Sequence, residues 1–289
     1  MEKIVKIVSD GEYFNVTDTL CCGQVFRFVP HENGYFINSL DKRAFAYDEG
    51  GKGVIECNAS DEEYFYNYFD LSRDYKKIVY AAENSGFPVL AHSATLGKGI
   101  RILCQNEEEA LISFIVSQNN NIPRIKGIIE RLCKALGDKK EFYGEEFYSF
   151  PTAEKMAEMP LDFYSGIGLG YRAEYIKGVA GKIVGGWSAS SLKTLSSAEL
   201  RKELIGIKGV GPKVADCAVL FGFHRSDSFP ADTWIEKVYK EDFNGTLTDR
   251  KKISEYFTGM FGENSGYFQQ YLFYYKRTLE KKEEKAGIE

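Results

Sequence analysis

One stretch decides the fold of this chain: Leu204-Ile205-Gly206-Ile207-Lys208-Gly209-Val210-Gly211-Pro212-Lys213-Val214-Ala215-Asp216-Cys217. Upstream, Ser196 and Glu199 have the spacing of a capping box, so a helix can begin there. The three glycines permit backbone angles that a Cβ would forbid, and Pro212 suits the first position of a new helix. The sequence therefore predicts a helix, a tight hairpin over 204–213 and a second helix.

The hairpin also has the features of an anion site. Its glycines run into a helix N-terminus, where free N–H groups and the helix dipole favour negative charge. The anion would be a DNA phosphate or a nucleotide; the alternative is a plain helix–helix corner. Lys213 lies in the first helical turn, where the dipole and burial both disfavour its ammonium form, so it is a candidate amine nucleophile. Asp232 follows a proline-fixed turn; taken alone, it predicts only a helix N-cap.

Composition limits the class of protein. The chain has 289 residues, 44% hydrophobic and 27% charged, as in soluble globular proteins of one to three domains. It has no run of eighteen apolar residues and no signal-like N-terminus, so we expect an intracellular protein (cytoplasm or nucleoid in a prokaryote) with no membrane partner. A net charge of −5 and a pI near 5.5 count against a nonspecific nucleic-acid binder but allow a local basic face.

The cysteines and histidines indicate neither a metal site nor a cofactor. The six cysteines are scattered without a CxxC pair, and none follows Cys217, which excludes a C-terminal cysteine-ligated iron–sulfur cluster. His31, His92 and His224 lie far apart and in no ligand motif. We therefore expect ordinary core or surface side chains at these positions.

The order of patterns predicts an α+β chain. Short β-rich runs at 26–29, 34–37, 43–47 and 53–57 indicate an antiparallel meander. A second capping box, Ser60 with Glu63, predicts a helix through Phe69. From about residue 94 the pattern is helical, including 108–118 and 124–136. We predict a β domain over 1–93 and an all-α region over 94–289, ending in a charged, fraying helix or tail from Lys276.

Three further stretches combine polar or aromatic groups with helix ends. Residues 118–121 are four consecutive amides followed by Arg124, a set that suits base edges and phosphates or forms a polar loop. Tyr171 and Arg172 open a helix after a glycine-rich turn and would suit a wedge into a base stack, or a packed corner. Gln269 and Phe273 lie four apart on one helical face, and a core helix explains only the phenylalanine.

Together these motifs resemble the helix-hairpin-helix (HhH-GPD) superfamily of DNA glycosylases. The resemblance narrows to 8-oxoguanine DNA glycosylases of the eukaryotic type and covers nearly the whole chain in order. It implies a TATA-binding-protein-like antiparallel β domain followed by two helical lobes. The motifs that carry it are Lys208 to Cys217 with Asp232, Asn119-Asn120-Asn121-Ile122-Pro123-Arg124, Gly170-Tyr171-Arg172-Ala173 and Cys22-Gly23-Gln24-Val25-Phe26-Arg27.

The resemblance implies a bifunctional glycosylase and lyase in base excision repair, acting as a monomer on double-stranded DNA that contains oxidised guanine. Lys213 would attack C1′ of the flipped nucleotide and form a Schiff base that permits β-elimination. Asp232 would stabilise the developing positive charge on the sugar. Gly209, Gly211 and Trp234 would contact the DNA backbone. Hairpins of this family often hold a monovalent cation through backbone carbonyls, and no other cofactor is expected.

The resemblance also implies how the damaged base and its partner are read. The Gly23 carbonyl would accept from N7–H, which 8-oxoguanine has and guanine lacks. Gln269 would bond the Watson–Crick edge, while Phe273 and Cys217 clamp the ring and Pro230 completes the base site. The residues facing the opposite strand would be Asn119, Arg124 and Arg172, which read the orphaned cytosine, and Tyr171, the wedge. A preference for lesions opposite cytosine follows.

Two positions depart from the family pattern. Eukaryotic members have a histidine where this chain has Trp234 and an aspartate where it has Lys276. Because the two differ together, we expect a swapped contact to phosphate near the site. Two alternatives stay open: a glycosylase for alkylated or other oxidised purines on the same scaffold, and a non-catalytic DNA-binding module.

Overall fold

The computed structural model describes residues 2–9 and 11–286, with side chains through residue 280. A five-stranded antiparallel sheet with the strand order β1-β5-β4-β3-β2 forms the N-terminal part. Its register pairs Ile7 with Ile55 and Phe36 with Phe45. The strands are β1 (Ile4–Ser9), β2 (Phe28–His31), β3 (Gly34–Ser39), β4 (Lys42–Glu49) and β5 (Lys52–Asn58). This confirms the predicted meander and the α+β class.

Helices make up most of the remaining chain. They are α1 (Val16–Cys21), α2 (Glu62–Tyr68), α3 (Tyr75–Glu83), α4 (Pro88–Gly97), α5 (Glu107–Val116), α6 (Ile122–Leu136), α7 (Ala153–Glu158), α8 (Leu161–Gly166), α9 (Ala173–Val184), α10 (Ser197–Ile205), α11 (Pro212–Cys217), α12 (Thr233–Glu241), α13 (Arg250–Phe261) and α14 (Ser265–Ala286). A π-helical turn, Ala218–Gly222, extends α11. The predicted domain boundary at 93/94 lies within α4, and it stays a prediction.

The hairpin between α10 and α11 has the predicted construction. Ser196 and Glu199 form the capping box of α10, with both reciprocal hydrogen bonds present. Gly209 has φ +91°, and a Cβ there would lie 2.2 Å from the Tyr175 ring, so only glycine fits. Ile207 and Val210 are buried and pin the turn to the helical core.

Two local predictions were wrong. Ser60 does not cap α2: its hydroxyl donates to Glu2, and the helix begins at Glu62 after a 3₁₀ turn. The chain after residue 94 is not wholly helical, because β6 (Lys139–Phe142) and β7 (Glu145–Tyr148) form a second hairpin. These charged four-residue strands lack apolar alternation, and Phe142 and Phe147 attach them to a small cluster on the first sheet.

The β domain is fastened to the helices by buried polar contacts near Gly23. Gln24 donates from Nε2 to the Arg101 carbonyl at 2.7 Å and accepts from the Leu103 N–H at 2.9 Å. Arg27 and Glu109 form an ion pair at 3.0 Å with both side chains almost fully buried. These bonds satisfy groups that burial would otherwise penalise, and they fix the 22–27 segment against the helical region.

The segment predicted as a charged tail begins as an anchored helix. Lys276 and Arg277 are less than a tenth exposed; Lys276 pairs with Glu241 and Asp242, and Arg277 donates to the Cys21 carbonyl. The helix continues to Ala286, and the last three residues of the predicted tail lie outside the described part of the chain.

Candidate active site

Lys213 lies where two cavities meet. An outer cleft of about 590 Å³ runs between the 117–120 loop, the hairpin, the start of α12 and the start of α13. A smaller cavity of about 40 Å³, the inner pocket, lies behind it. Lys213 and Asp232 are the two residues that line both cavities. A group entering from the cleft would therefore pass between these side chains.

The charge state of Lys213 differs from the sequence-based expectation. Burial alone would lower its pKa, but the neighbouring Cys217 sulfur and the Asp232 and Asp216 carboxylates outweigh burial, and the pKa is raised. Burial acts in the direction that the sequence predicted, but the acceptors that face the amine, which the sequence did not show, act against it. The Nζ atom lies 5.4 Å from the centroid of the Phe114 ring, a cation–π contact that also favours the ammonium.

Asp232 is both a cap and a member of the site. Its Oδ1 accepts from the Trp234 and Ile235 backbone N–H groups at 2.9 and 3.1 Å, which makes it the N-cap of α12. These N–H groups and the helix N-terminus stabilise an ionised carboxylate. Within the described structure no ion pair joins it directly to Lys213, and Oδ2 accepts no hydrogen bond from the protein. Because the cap uses only Oδ1, the other carboxylate oxygen remains able to stabilise a positive charge in the site.

The inner pocket brings together all five predicted base-recognition residues, from segments up to 250 positions apart. Gly23, Cys217, Pro230, Gln269 and Phe273 line it. Its volume holds about one water molecule, so a base can enter only if its walls separate. The sequence did not identify three further lining residues, whose apolar or amide character gave no distinguishing signal: Phe114, Phe221 and Gln270.

The residues that line the inner pocket point to a ligand. Gln269 is 4% exposed, and its Oε1 is buried without a hydrogen-bond partner. Gly23 has φ +103°, and a Cβ there would lie 3.4 Å from the Phe273 ring, so a side chain would narrow the pocket. Burial raises the pKa of the Cys217 thiol to about 11, which keeps it protonated and apolar at neutral pH. Because a buried orphan acceptor is rare, Gln269 is the strongest sign of a missing polar partner.

The residues predicted to face the opposite strand form one patch, which we call the opposite-base surface: Asn119, Arg124, Tyr171 and Arg172. Tyr171 is 52% exposed, and the Asn119 amide donates to its hydroxyl at 3.3 Å. Arg124 is exposed and makes one long contact, 3.4 Å to the Gly168 carbonyl. Arg172 is only 3% exposed, and its guanidinium donates to the Gln118, Asn119 and Leu169 carbonyls. Three members are accessible, but Arg172 holds the loop from beneath.

The wall of the cleft contains Gln118 of the predicted amide run and a basic pair, Arg250 and Lys251, that sequence reasoning missed. Gln118 donates to the Gly209 carbonyl at 2.9 Å and so ties the amide loop to the hairpin. Arg250 and Lys251 follow the N-cap Asp249 at the start of α13. A basic pair just after a capping residue was the available signal. Arg250 pairs with Glu236 and Lys251 with Glu255, so both cations would exchange a protein partner to meet a phosphate in this cleft.

Trp234 and Lys276, the two positions where a swapped phosphate contact was predicted, have different protein partners. Trp234 lines the cleft at the start of α12, with Lys237 Nζ 5.1 Å from its ring. Lys276 pairs with Glu241 and Asp242 at the other end of that helix, about 13 Å away along nine residues. In the free protein the two side chains have separate roles, and the swapped phosphate contact stays a prediction.

Comparison with known proteins identifies the family. A model of the 8-oxoguanine DNA glycosylase N-terminal domain matches residues 6–111, and a model of the HhH-GPD superfamily base excision DNA repair proteins matches residues 112–261. The chain belongs to the 8-oxoguanine DNA glycosylase family of the HhH-GPD superfamily. The two family models meet at 111/112, not at the predicted boundary.

Solved and curated relatives agree with this family. The 8-oxoguanine glycosylase/lyase of Clostridium acetobutylicum, solved with double-stranded DNA containing cytosine opposite 8-oxoG, is 37% identical (TM-score 0.88, 93% of each chain covered). MBOgg1, solved with a low-affinity DNA ligand, is 36% identical (TM-score 0.90, 96% of this chain and 99% of that one). A probable N-glycosylase/DNA lyase from Methanothermobacter thermautotrophicus is 29% identical over 72% of each chain. Within residues 2–9 and 11–286, no helix is long and apolar enough to cross a membrane.

Proposed function

We propose that this glycosylase-family chain excises 8-oxoguanine from duplex DNA and then cleaves the strand by β-elimination through Lys213. The observation that carries the proposal is that Lys213 and Asp232 are shared by the cleft and the inner pocket. DNA in the cleft would place a flipped base in the pocket and its sugar between the two side chains. Because its substrate is DNA, we also propose an intracellular location.

The chemistry proceeds by replacing one C–N bond with another. The unprotonated Lys213 amine attacks C1′, the N-glycosidic bond breaks, and its electron pair leaves with the base, which takes up a proton. Ring opening gives a protonated Schiff base at C1′. Loss of a C2′ proton then expels the 3′ phosphate, which completes β-elimination. Asp232 stabilises the positive charge that develops on the sugar before the new bond is complete.

DNA is positioned by groups around the cleft. The backbone N–H groups of Gly209 and Gly211 face a phosphate, while Trp234 and the Arg250–Lys251 pair contact the backbone near the flipped nucleotide. The Ile207 and Gly209 carbonyls each already accept one hydrogen bond from the protein and keep a second lone pair. This arrangement fits a monovalent cation at the hairpin, which would add positive charge beneath the phosphate.

Selection of the damaged base follows from the pocket groups. The orphan Oε1 of Gln269 accepts from an N–H on the Watson–Crick edge, while Cys217, Phe273 and Pro230 enclose the ring. The Gly23 carbonyl accepts from N7–H. Guanine has a lone pair at N7, so the same contact would be repulsive.

Reading of the opposite base falls to the accessible side chains. Arg124 and Asn119 contact the orphaned cytosine, and Tyr171 fills the gap left by the flipped nucleotide. Arg172 can join them only by giving up carbonyl contacts beneath the loop. A preference for cytosine therefore depends mainly on Arg124 in the absence of a rearrangement.

Borohydride trapping tests the proposal. Wild-type protein should form a covalent adduct with 8-oxoguanine:C duplex, and Lys213→Gln should form none. Lys208→Gln is the matched control, because Lys208 lies on the same hairpin but is exposed and pairs with Glu174. An adduct that survives Lys213→Gln would refute the nucleophile. Faster excision from a duplex carrying an alkylated purine would favour the alternative substrate class.

A further inference from the structure

Three side chains able to bind a transition metal meet beyond the C-terminal end of α11 and its π-helical turn. Lys213 and the active site lie at the other end of this helix. Asp70 follows α2, Cys104 lies between α4 and α5, and His224 follows the π-helical turn. One ligand atom from each lies within 4.8 Å of the others, and we call this the 70–104–224 cluster. His224 is eleven residues beyond Lys213, about 16 Å along the helix, so the cluster is separate from the inner pocket.

The histidine of this cluster lacks the partners that buried imidazoles normally have. His224 Nε2 lies 3.2 Å from Asp70 Oδ2, an ion-pair distance if the imidazole is protonated. Neither ring nitrogen has a hydrogen-bond partner, and both are inaccessible to solvent. Its backbone also lies in the left-handed region, at φ +53°, which is unusual for a histidine. An imidazole whose two inaccessible nitrogens make no hydrogen bond, beside a carboxylate and a thiol, points to an occupant between the three side chains.

The chemistry of the cluster and its Nε2–Oδ2 distance suit zinc. Ligand N and O atoms around a tetrahedral Zn²⁺ lie about 3.3 Å apart, close to the Nε2–Oδ2 distance. Mixed nitrogen, sulfur and oxygen ligands favour a borderline-soft ion over Ca²⁺ or Mg²⁺. Arg73 Nε and the Tyr75 hydroxyl donate to Asp70 Oδ2 at 2.7 and 3.0 Å and hold the carboxylate in place. The Arg73 charge opposes a cation, but a thiolate and a carboxylate together offset it.

We propose that Asp70, Cys104 and His224 bind one Zn²⁺ ion, with water as the fourth ligand. Binding displaces the Cys104 thiol proton to solvent and forms Zn–S, Zn–N and Zn–O bonds. The ion links the segment after α2, which belongs to the predicted β domain, to the helix that carries Lys213. It therefore stabilises the packing of these two parts against each other. The site is structural, since it lies away from the cleft and the pocket.

Cobalt substitution tests this site on the full-length, chelator-treated protein. We expect Co²⁺ to bind at one equivalent with a sulfur-to-cobalt charge-transfer band and the visible bands of a tetrahedral ion, both removed by added Zn²⁺. Cys104→Ser should lose the charge-transfer band. Cys21→Ser should keep it, because Cys21 is an exposed cysteine outside the cluster. His224→Asn, which tolerates the left-handed backbone, should weaken Zn²⁺ binding at least about tenfold.

Two results would overturn the proposal. One is the absence of saturable one-equivalent binding to the wild type. The other is a charge-transfer band that survives Cys104→Ser. A thermal melt gives an independent readout if a variant folds poorly: Zn²⁺ should raise the Tm of the wild type and of Cys21→Ser but not that of His224→Asn. Equal Tm shifts in all three proteins would place the ion elsewhere.

Discussion

The inner pocket and the opposite-base surface differ in how their polar groups are satisfied. The pocket is buried between helices and keeps an acceptor, Gln269 Oε1, without any protein partner. On the opposite-base surface, Arg172 and Asn119 already bond to the protein, and Tyr171 is exposed. The pocket is therefore prepared for one ligand, whereas the surface must exchange internal contacts for contacts with DNA. We expect pocket variants to affect catalysis and surface variants to affect pairing preference and loop stability.

The largest expected effect is that of Asp232→Asn on the pocket side. Asparagine is an equally good N-cap, so α12 should remain intact while the charge is lost. Removing a preorganised electrostatic group slows chemistry by about 100- to 1,000-fold, and we expect this loss in single-turnover base excision. Asp249→Asn is the matched control, since it caps α13 at the edge of the same cleft. Equal losses of excision rate in both variants would show that Asp232 acts only as a helix cap.

Gln269→Leu tests whether the orphan acceptor serves the substrate. Losing its hydrogen bond should slow 8-oxoguanine excision by about ten- to 100-fold, with little change in Tm, because no protein group loses a partner. Gln270→Leu is the contrasting variant, since Gln270 donates to the Cys22 carbonyl at 3.3 Å. Gln270→Leu should lower the Tm clearly and should change the selectivity for 8-oxoguanine little. The reverse pattern would mean that Gln269 is a packing residue.

The pH dependence of trapping tests the pocket alone, because Lys213, the proposed nucleophile, lines the pocket and not the opposite-base surface. Burial opposes the charge on Lys213, but Cys217 and the Asp232 and Asp216 carboxylates raise its pKa above the ordinary value. Below that pKa the amine fraction rises about tenfold per pH unit. Trapping on an abasic duplex, with DNA saturating, should therefore accelerate from about pH 6 to about pH 8. A flat profile would show that DNA binding deprotonates Lys213 before the slow step.

The sequence could predict which residues line the pocket but not their pKa values, their burial or the volume that they enclose. Lys213 stands in a local motif that predicts an amine nucleophile, whereas the roles of Asp232 and Gly23 were implied by the family resemblance. The raised pKa of Lys213, the closed volume of the pocket and the burial of Arg172 depend on contacts between distant segments. The same limit applies to the 70–104–224 cluster, whose members come from three segments and form no ligand motif. Short charged strands, such as β6 and β7, were missed because one phenylalanine from each strand packs against the first sheet, a contact between distant segments.

The smallest expected effect is that of replacing either arginine of the opposite-base surface. The result can contradict the contrast drawn above between this surface and the inner pocket. Arg124→Ala should leave Tm unchanged and reduce the preference for cytosine over adenine by about tenfold, the range for one lost arginine–base contact. Arg172→Ala should instead lower Tm, because the Gln118, Asn119 and Leu169 carbonyls lose their buried donor. Excision opposite each base and a thermal melt separate the two effects. If Arg172→Ala abolishes the cytosine preference while Tm stays constant, the arginine leaves the loop to read DNA. The surface would then rearrange fully on binding, and Arg124 would not be the main reader.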